Sequence, residues 1–325
     1  MRIFEKKGLS VVHGNSKICI DGNSSEESVI LTHAHSDHAK PRKNRKYFAS
    51  NETISLLEKN FSDAEFVSMD FRKKISFDDF SISLIPSGHM LGSAQVKIEN
   101  NSELVVTSDF KLQKTILSNP AEILSCDTLL IESTFGIPHY SFPLREKVYE
   151  EMILWINSNI KSNNFVVLGG HALSKAQELT AVSSLLCNEP PLVFKSVFNA
   201  NKIYEKHKVN LGDYIELNHN LNESNVLIMP LQLINDGLIS EIRKITKKNV
   251  SVALATGWNH SKHKSFPLSD HADFNQLIQY VKESNPKKVL TYHGYAKQFA
   301  SYIQRRLGIP AMALGKQHQA LLNEF

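Results

Sequence analysis

Over the first 135 residues the apolar positions come in short runs rather than at helical intervals. Residues 9–13, 17–21 and 28–32 are β-branched or apolar stretches separated by the turn dipeptides Gly14-Asn15 and Gly22-Asn23, which predicts an N-terminal β-meander. Further strands are predicted at about 80–86, 94–98, 103–107 and 127–132, with one helix from Glu52 to Phe61 among them. After Pro143 the period changes. Leu144, Val148, Met152, Trp155, Ile156 and Ile160 fall at helical spacing behind a proline near the helix start. Strands at about 165–169, 192–195, 225–229 and 250–255 then alternate with helices at about 175–187, 199–207 and 237–246, the pattern of a βαβ layer. The chain closes with a helix near 274–284, a strand at 287–292, a helix near 296–307 and a last strand near 310–314.

A chain of 325 residues, 42% hydrophobic and 22% charged, is neither disordered nor fibrous, and its length fits two domains or one domain with an insertion. Cys19, Cys126 and Cys187 lie far apart with no CxxC pair, which excludes a disulfide framework and a thiolate zinc knuckle and fits a reducing compartment. Met1 to Lys7 lacks the apolar core of a signal peptide, and no apolar run reaches membrane-spanning length; the expected location is cytoplasmic, away from membranes. The net charge of +4 is too small to announce nucleic acid by itself. The absence of a GxGxxG or P-loop sequence argues against a nucleotide cofactor.

The chemistry is concentrated in Thr32-His33-Ala34-His35-Ser36-Asp37-His38, which ends the apolar run Val29-Ile30-Leu31. Imidazole and carboxylate are the donors that borderline-soft divalent ions take, and this order can direct ligand pairs toward two neighbouring ions. The competing reading is a polar surface loop with chance histidines. His89, in Pro86-Ser87-Gly88-His89-Met90-Leu91-Gly92-Ser93, and Asp109, in Val105-Val106-Thr107-Ser108-Asp109, also sit where a buried strand releases into a loop. Either alone reads as a hydrogen-bonded turn residue; beside the histidine cluster, both become candidate ligands.

In this order and spacing the three segments resemble the metallo-β-lactamase fold, an α/β architecture built as an αββα sandwich. Three more segments resemble motifs A, B and C of the β-CASP nucleases: Ile131-Glu132-Ser133-Thr134-Phe135-Gly136, Leu268-Ser269-Asp270-His271-Ala272-Asp273 and Tyr292-His293-Gly294-Tyr295. The resemblance covers essentially the whole chain. It implies a metallo-β-lactamase domain in two parts, 1–142 and 254–325, with a β-CASP cap inserted at 143–253. It also implies two divalent ions, zinc or else manganese, with His33, His35 and His89 on one, Asp37, His38 and His293 on the other, and Asp109 bridging. Asp21 matches an acidic residue that supports such a site by hydrogen bonds, and His271 oriented by Glu132 is the candidate proton donor. Asp37, His271 and Glu132 are thus the expected catalytic residues.

Within the family, Glu132-Ser133-Thr134-Phe135-Gly136 followed by Pro138 and Tyr140 is most similar to the ligase-associated DNA exonucleases. That implies 5′-to-3′ digestion of single-stranded DNA in repair, and a DNA ligase or helicase as associate. Histidine at motif C, His293, is instead typical of members that process or degrade RNA, so an RNA endo- or exonuclease is the alternative. Two segments are candidate phosphate contacts. Ser174 and Gln177 have capping-box spacing behind Gly169-Gly170, which would offer free amides with the charge of Lys175 beside them, although an ordinary capped helix reads the same way. Lys40, Arg42, Lys43, Arg45 and Lys46 follow the histidine loop directly; they read either as a solvated face or as contacts to a nucleic-acid backbone, Arg42 and Lys43 first. Trp258 and Phe266 are candidates for base stacking, with core packing as the alternative, and Lys262-His263-Lys264 for the same groove.

Overall fold

A computed structural model describes residues 2–5, 8–14, 16–22, 28–77, 79–218, 220–258, 262–315 and the backbone of 319–321. Asn15 and Asn23 of the two expected turns lie outside the described residues. The chain divides into two compact units, one made of Met1–Leu112, Pro120–Ser141 and His271–Phe325, the other of Gln113–Asn119 and Phe142–Asp270.

The first unit is built on two seven-stranded sheets. One runs, in spatial order, Gln319–Leu321, Arg2–Glu5, Leu9–His13, Ser16–Ile20, Ser28–Ile30, Lys46–Ala49 and Glu65–Ser68. The other runs Ala311–Ala313, Lys288–Tyr292, Thr128–Glu132, Glu103–Val106, Ala94–Glu99, Phe80–Pro86 and Ile75–Phe77. The period-2 alternation of the second sheet explains its layering, because successive side chains leave a strand on opposite faces. Leu104, Val106, Leu130, Leu290 and Tyr292 join Ile18, Ile20 and Ile30 of the first sheet in one core. Val105, Leu129, Ile131 and Val289, one residue out of phase, pack with Leu277, Tyr280 and Val281 of the Phe274–Ser284 helix and with Phe299 and Ile303. Strands buried on both faces read as continuous apolar runs, which is how 103–107 and 127–132 stand out in the sequence. The sheets and flanking helices form the sandwich expected of a metallo-β-lactamase fold. The strand foreseen near 310–314 is Ala311–Ala313, which pairs with Lys288–Tyr292 and extends that sheet.

Several strands escape the sequence reading. Lys46–Ala49 and Glu65–Ser68 are short, and the first begins inside the basic run; only their parallel pairing reveals them. The second unit holds a six-stranded sheet, ordered Ile215–Glu216, Leu192–Val193, Val226–Pro230, Phe165–Gly170, Val250–Ala255 and Lys264–Phe266. Its strands pair in parallel; helix Arg145–Lys161 precedes the first of them in the chain, and helices Lys175–Ala181, Lys195–Lys206 and Asp236–Thr246 lie in the connections. Because Lys264–Phe266 pairs with Val250–Ala255, this unit runs on past residue 253 to Asp270. Among the described residues, no helix is long and apolar enough to cross a membrane.

The segment expected to hold phosphate is instead part of the second unit's interior. Ser174 adopts φ +74 and makes no side-chain cap, and Gln177 turns to the Ala172 carbonyl and to Asn201. Lys175 is only 5% exposed; its Nζ donates to the Leu268 carbonyl at 2.7 Å and pairs with Asp270 at 3.1 Å. Beside it Arg145, equally buried, donates to the Ser269 carbonyl at 2.7 Å and pairs with Glu178 at 3.3 Å, while Tyr149 donates to the same Glu178 carboxylate. A helix of seven residues with a buried first lysine offers no open amide end to a ligand. The spacing looked like a capping box because Ser and Gln at that interval also arise where tertiary contacts use them otherwise. Removing one partner from a buried ion pair leaves its opposite charge desolvated. Lys175→Met is therefore expected to lower stability by about 3–5 kcal/mol in urea unfolding; an unchanged midpoint would show that the ammonium is not held inside.

Candidate metal centre

Strand direction delivers the candidate ligands to one place. Phe80–Pro86 and Glu103–Val106 are each antiparallel to Ala94–Glu99, and Thr128–Glu132 and Lys288–Tyr292 continue the second sheet in parallel. These four strands therefore end at the same edge, where they release His89, Asp109, Glu132 and His293. In the first sheet the parallel strands Ser16–Ile20 and Ser28–Ile30 lead to Asp21 and to the His33–His38 loop. The Ala94 amide donates to the Thr32 carbonyl at 2.9 Å and joins the two edges. Left-handed backbone at Asp21, Ser108 and His293, with φ of +58, +50 and +60, turns each chain sharply as it leaves its strand.

At the centre lies Asp109, 4% exposed. Its Oδ2 is 3.4 Å from His38 Nε2, 3.5 Å from His33 Nε2, 3.8 Å from His89 Nε2 and 3.9 Å from His271 Nε2. His89 Nε2 and His35 Nδ1 are 3.0 Å apart. Ligand atoms of His33, His35, His89 and Asp109 lie within 4.8 Å of one another, as do those of His38, Asp109 and His293. Asp37 stands at the rim, with its side chain 79% exposed and its Oδ2 3.8 Å from His38 Nε2. The structure thus brings His33, His35, His38, His89, Asp109 and His293 together, with Asp37 alongside.

The supporting contacts fix which nitrogen faces inward. His38 Nδ1 donates to Asp21 Oδ2 at 2.8 Å, leaving Nε2 for the centre. Asp21 is itself held by the Thr32 amide at 2.8 Å and hydroxyl at 2.7 Å, and the Thr32 hydroxyl lies 2.6 Å from that of Ser108. His271 Nδ1 donates to Glu132 Oε1 at 3.0 Å, which aims Nε2 toward Asp109. Glu132 also accepts from the amides of Thr134 at 3.1 Å and Phe110 at 3.4 Å. Lys111, buried, donates to the His89 carbonyl at 3.2 Å. Thr32, Ser108 and Lys111 were not singled out in the sequence; adjacency to His33 and Asp109 is the signal that points to the first two.

Among the described residues, buried side-chain atoms that make no hydrogen bond include two at this centre, His33 Nε2 and Asp109 Oδ1. Buried polar atoms in that condition are costly, and a site lined by imidazole nitrogen and carboxylate oxygen is one a divalent cation satisfies. The residues present therefore fit divalent metal binding. Burial, and then the imidazoles of His38, His89, His35 and His271, hold the His33 pKa well below its ordinary value and keep the ring neutral. Burial opposes a charge on His38 too, but the carboxylates of Asp109, Asp21 and Asp37 outweigh it and push its pKa up to about 10. Burial would raise the Glu132 pKa, yet the His271 imidazole and the Thr134 amide bring it below the usual range, so Glu132 stays ionised.

The other candidates scatter. Arg42 and Lys43 are exposed, Lys43 3.9 Å from Asp63, and Lys46 lies 3.3 Å from Glu65, so carboxylates partly balance the basic run. Phe266 is 1% exposed in the apolar core of the second unit and is not available to a base, whereas Trp258 is 46% exposed. Lys262 pairs with Asp236 at 2.7 Å.

Residues 261–314 match the family model described as "Zn-dependent metallo-hydrolase RNA specificity domain". A probable DNA ligase of Opitutus terrae is 28% identical over 92% of this chain, which spans only 30% of that relative's length. An RNase J-like protein of Methanocaldococcus jannaschii is 22% identical, and the match covers 87% of this chain and 86% of that one. A crystal structure of an Enterococcus faecalis protein of unknown function shares the fold, with a TM-score of 0.66 at 12% identity over 99% of both chains.

The raised His38 pKa has a measurable sign. With a folded-state pKa near 10 against an ordinary 6.5, protonated His38 contributes stability fully present below about pH 6.5 and lost as pH rises through about 10. In chelator, the Tm of the protein is expected to fall across that window, and His38→Gln should flatten the fall. A parent curve no steeper than that of the variant would contradict the charge assignment.

Proposed function

The chain is a metallo-β-lactamase-fold protein of the β-CASP family, and from that premise we propose that it is a two-metal nuclease acting on phosphodiester bonds at the Asp109 centre. The observation that carries the reading is the buried Asp109 carboxylate ringed by imidazole nitrogens, with His33 Nε2 and Asp109 Oδ1 lacking hydrogen bonds. His33, His35 and His89 would hold one ion and Asp37, His38 and His293 the other, with Asp109 available to both. Zinc suits the donor set, and manganese takes mixed histidine and carboxylate sites as well. When bound, such a pair of ions supplies an activated water and neutralises charge on the phosphodiester.

The remaining steps belong to the protein. Asp21 keeps the His38 Nδ1 proton and so fixes the imidazole face offered to the centre. Glu132, ionised, holds the Nδ1 proton of His271 and leaves Nε2 to deliver a proton to the departing sugar oxygen. Exposed Arg42 and Lys43 attract the flanking phosphates.

The preferred substrate is single-stranded DNA, digested from its 5′ end in repair. The motif resemblance to ligase-associated exonucleases supports this, and so does the printed name of the Opitutus relative, which also makes a DNA ligase the expected associate. RNA is the second reading. It rests on His293 at motif C, on the description of the family model and on the RNase J-like relative.

Metal-loaded protein is to be incubated with matched 5′-phosphorylated single-stranded DNA and RNA labelled at either end, with Asp37→Ala as control. Progressive shortening of DNA from the 5′ end, an inert control, and a kcat lowered on the order of 100- to 10,000-fold in His271→Ala are expected. Preference for RNA would transfer the site to RNA processing or decay. No cleavage of either, by protein that carries its metal, would end the nuclease reading.

A further inference from the structure

Two loops of the first unit, those following Glu132 and Tyr292, are locked together. The Ser133 hydroxyl donates to the carbonyls of Tyr292 at 2.8 Å and His293 at 2.9 Å, and the Tyr295 amide donates back to the Ser133 carbonyl at 2.8 Å. Gly294 makes this approach possible. Its φ is +50, and a Cβ there would stand 2.4 Å from the Ser133 carbonyl oxygen and 2.5 Å from Thr134 Cα. Further along the first loop, the Tyr140 carbonyl accepts from the Phe274 amide at 3.0 Å, and the Ser141 hydroxyl accepts from the Asn275 amide group at 2.9 Å. Both loops are thereby pinned to the helix and strands that carry the candidate metal centre.

Their outer side chains are aromatic. The rings of Tyr140 and Tyr295 are 5.7 Å apart at 39°, with hydroxyls 3.3 Å from each other. Phe135, 2% exposed, supports Tyr140 from within at 4.9 Å and lies 6.2 Å from the imidazole of His271. His139, exposed, sits edge-on to Tyr140 at 5.2 Å. Tyr140 and Tyr295 are only half-buried, and neither is among the residues of the two apolar clusters described for this unit. Pinned backbone, partly exposed rings and an aromatic path leading to His271 suit a stacking platform for a nucleobase, since every base has a π-face that such rings accept whatever its identity.

We infer that Tyr140 and Tyr295 form a stacking site for an unpaired nucleobase of the substrate strand, close to the scissile phosphate. This rests on the nuclease reading above and deepens it. The site grips the strand by its bases without reading their sequence, and so favours single-stranded or frayed ends, whose bases are free to stack. It also replaces Phe266, buried in the second unit, as the aromatic contact.

The test separates stacking from cleavage. Binding of metal-loaded protein to a cleavage-resistant phosphorothioate strand is measured by fluorescence anisotropy, with an abasic tetrahydrofuran residue placed in turn at each of the first four positions from the 5′ end. In the parent, one position is expected to lose affinity on the order of tenfold. A Tyr140→Leu, Tyr295→Leu double variant should bind the intact strand more weakly by a similar factor and show no further loss with the abasic strand. The Tyr140→Phe, Tyr295→Phe variant, which keeps the rings, should retain the parent's affinity and abasic penalty. An abasic penalty as large in the leucine variant as in the parent, or none at any position in the parent, would overturn the proposal. The same preparations are assayed on ordinary phosphodiester strands. Failure to cleave those, with the coupling intact, would remove the nuclease reading and keep the stacking site.

Discussion

A carboxylate taken out of water needs positive charge or strong donors around it, and Asp109 has imidazole nitrogens of His33, His38, His89 and His271 within 3.9 Å. Those rings cannot all be protonated at such separations; His33 and His38, with centroids 4.2 Å apart, are driven to opposite protonation states. The buried carboxylate and its crowded imidazoles form a cage that is frustrated without a cation and satisfied with one. The arrangement therefore fits divalent metal binding.

The scaffold serves that cage. Parallel strand ends bring residues 89, 109, 132 and 293 to one edge, and the left-handed turns at Ser108 and His293 let the chain present side chains directly after buried strands. Asp21 and Glu132 then play the same part on two different rings: each accepts a hydrogen bond from Nδ1–H and leaves Nε2 inward. In the proposed reading His38 so fixed would serve as a ligand, whereas His271, partly exposed and farther from Asp109, would carry the proton. Environment, more than residue type, divides these roles.

Much of this is legible in the sequence because ligands follow apolar strands, and burial on both faces makes those strands continuous apolar runs. The pairing of His33–His38 with His89, Asp109 and His293 follows from motif order. What is not legible depends on distant partners. Ser174 and Gln177 have the spacing of a cap, but the burial of Lys175 is set by Asp270 and the Leu268 carbonyl, more than ninety positions along the chain. Phe266 reads as an aromatic near a basic run, yet a three-residue strand carries it into a core. Tyr140 and Tyr295 meet only because Gly294 lets two loops close on each other. Short-range pattern does not encode such approaches.

Sharing of Asp109 by two ions, as proposed, fixes the metal stoichiometry of the chain. Protein dialysed against a divalent metal and then freed of excess should carry two ions per chain by inductively coupled plasma mass spectrometry, and Asp109→Asn should lose both while keeping its folded circular dichroism. Two ions retained in the folded variant, or none in the parent, would contradict the account.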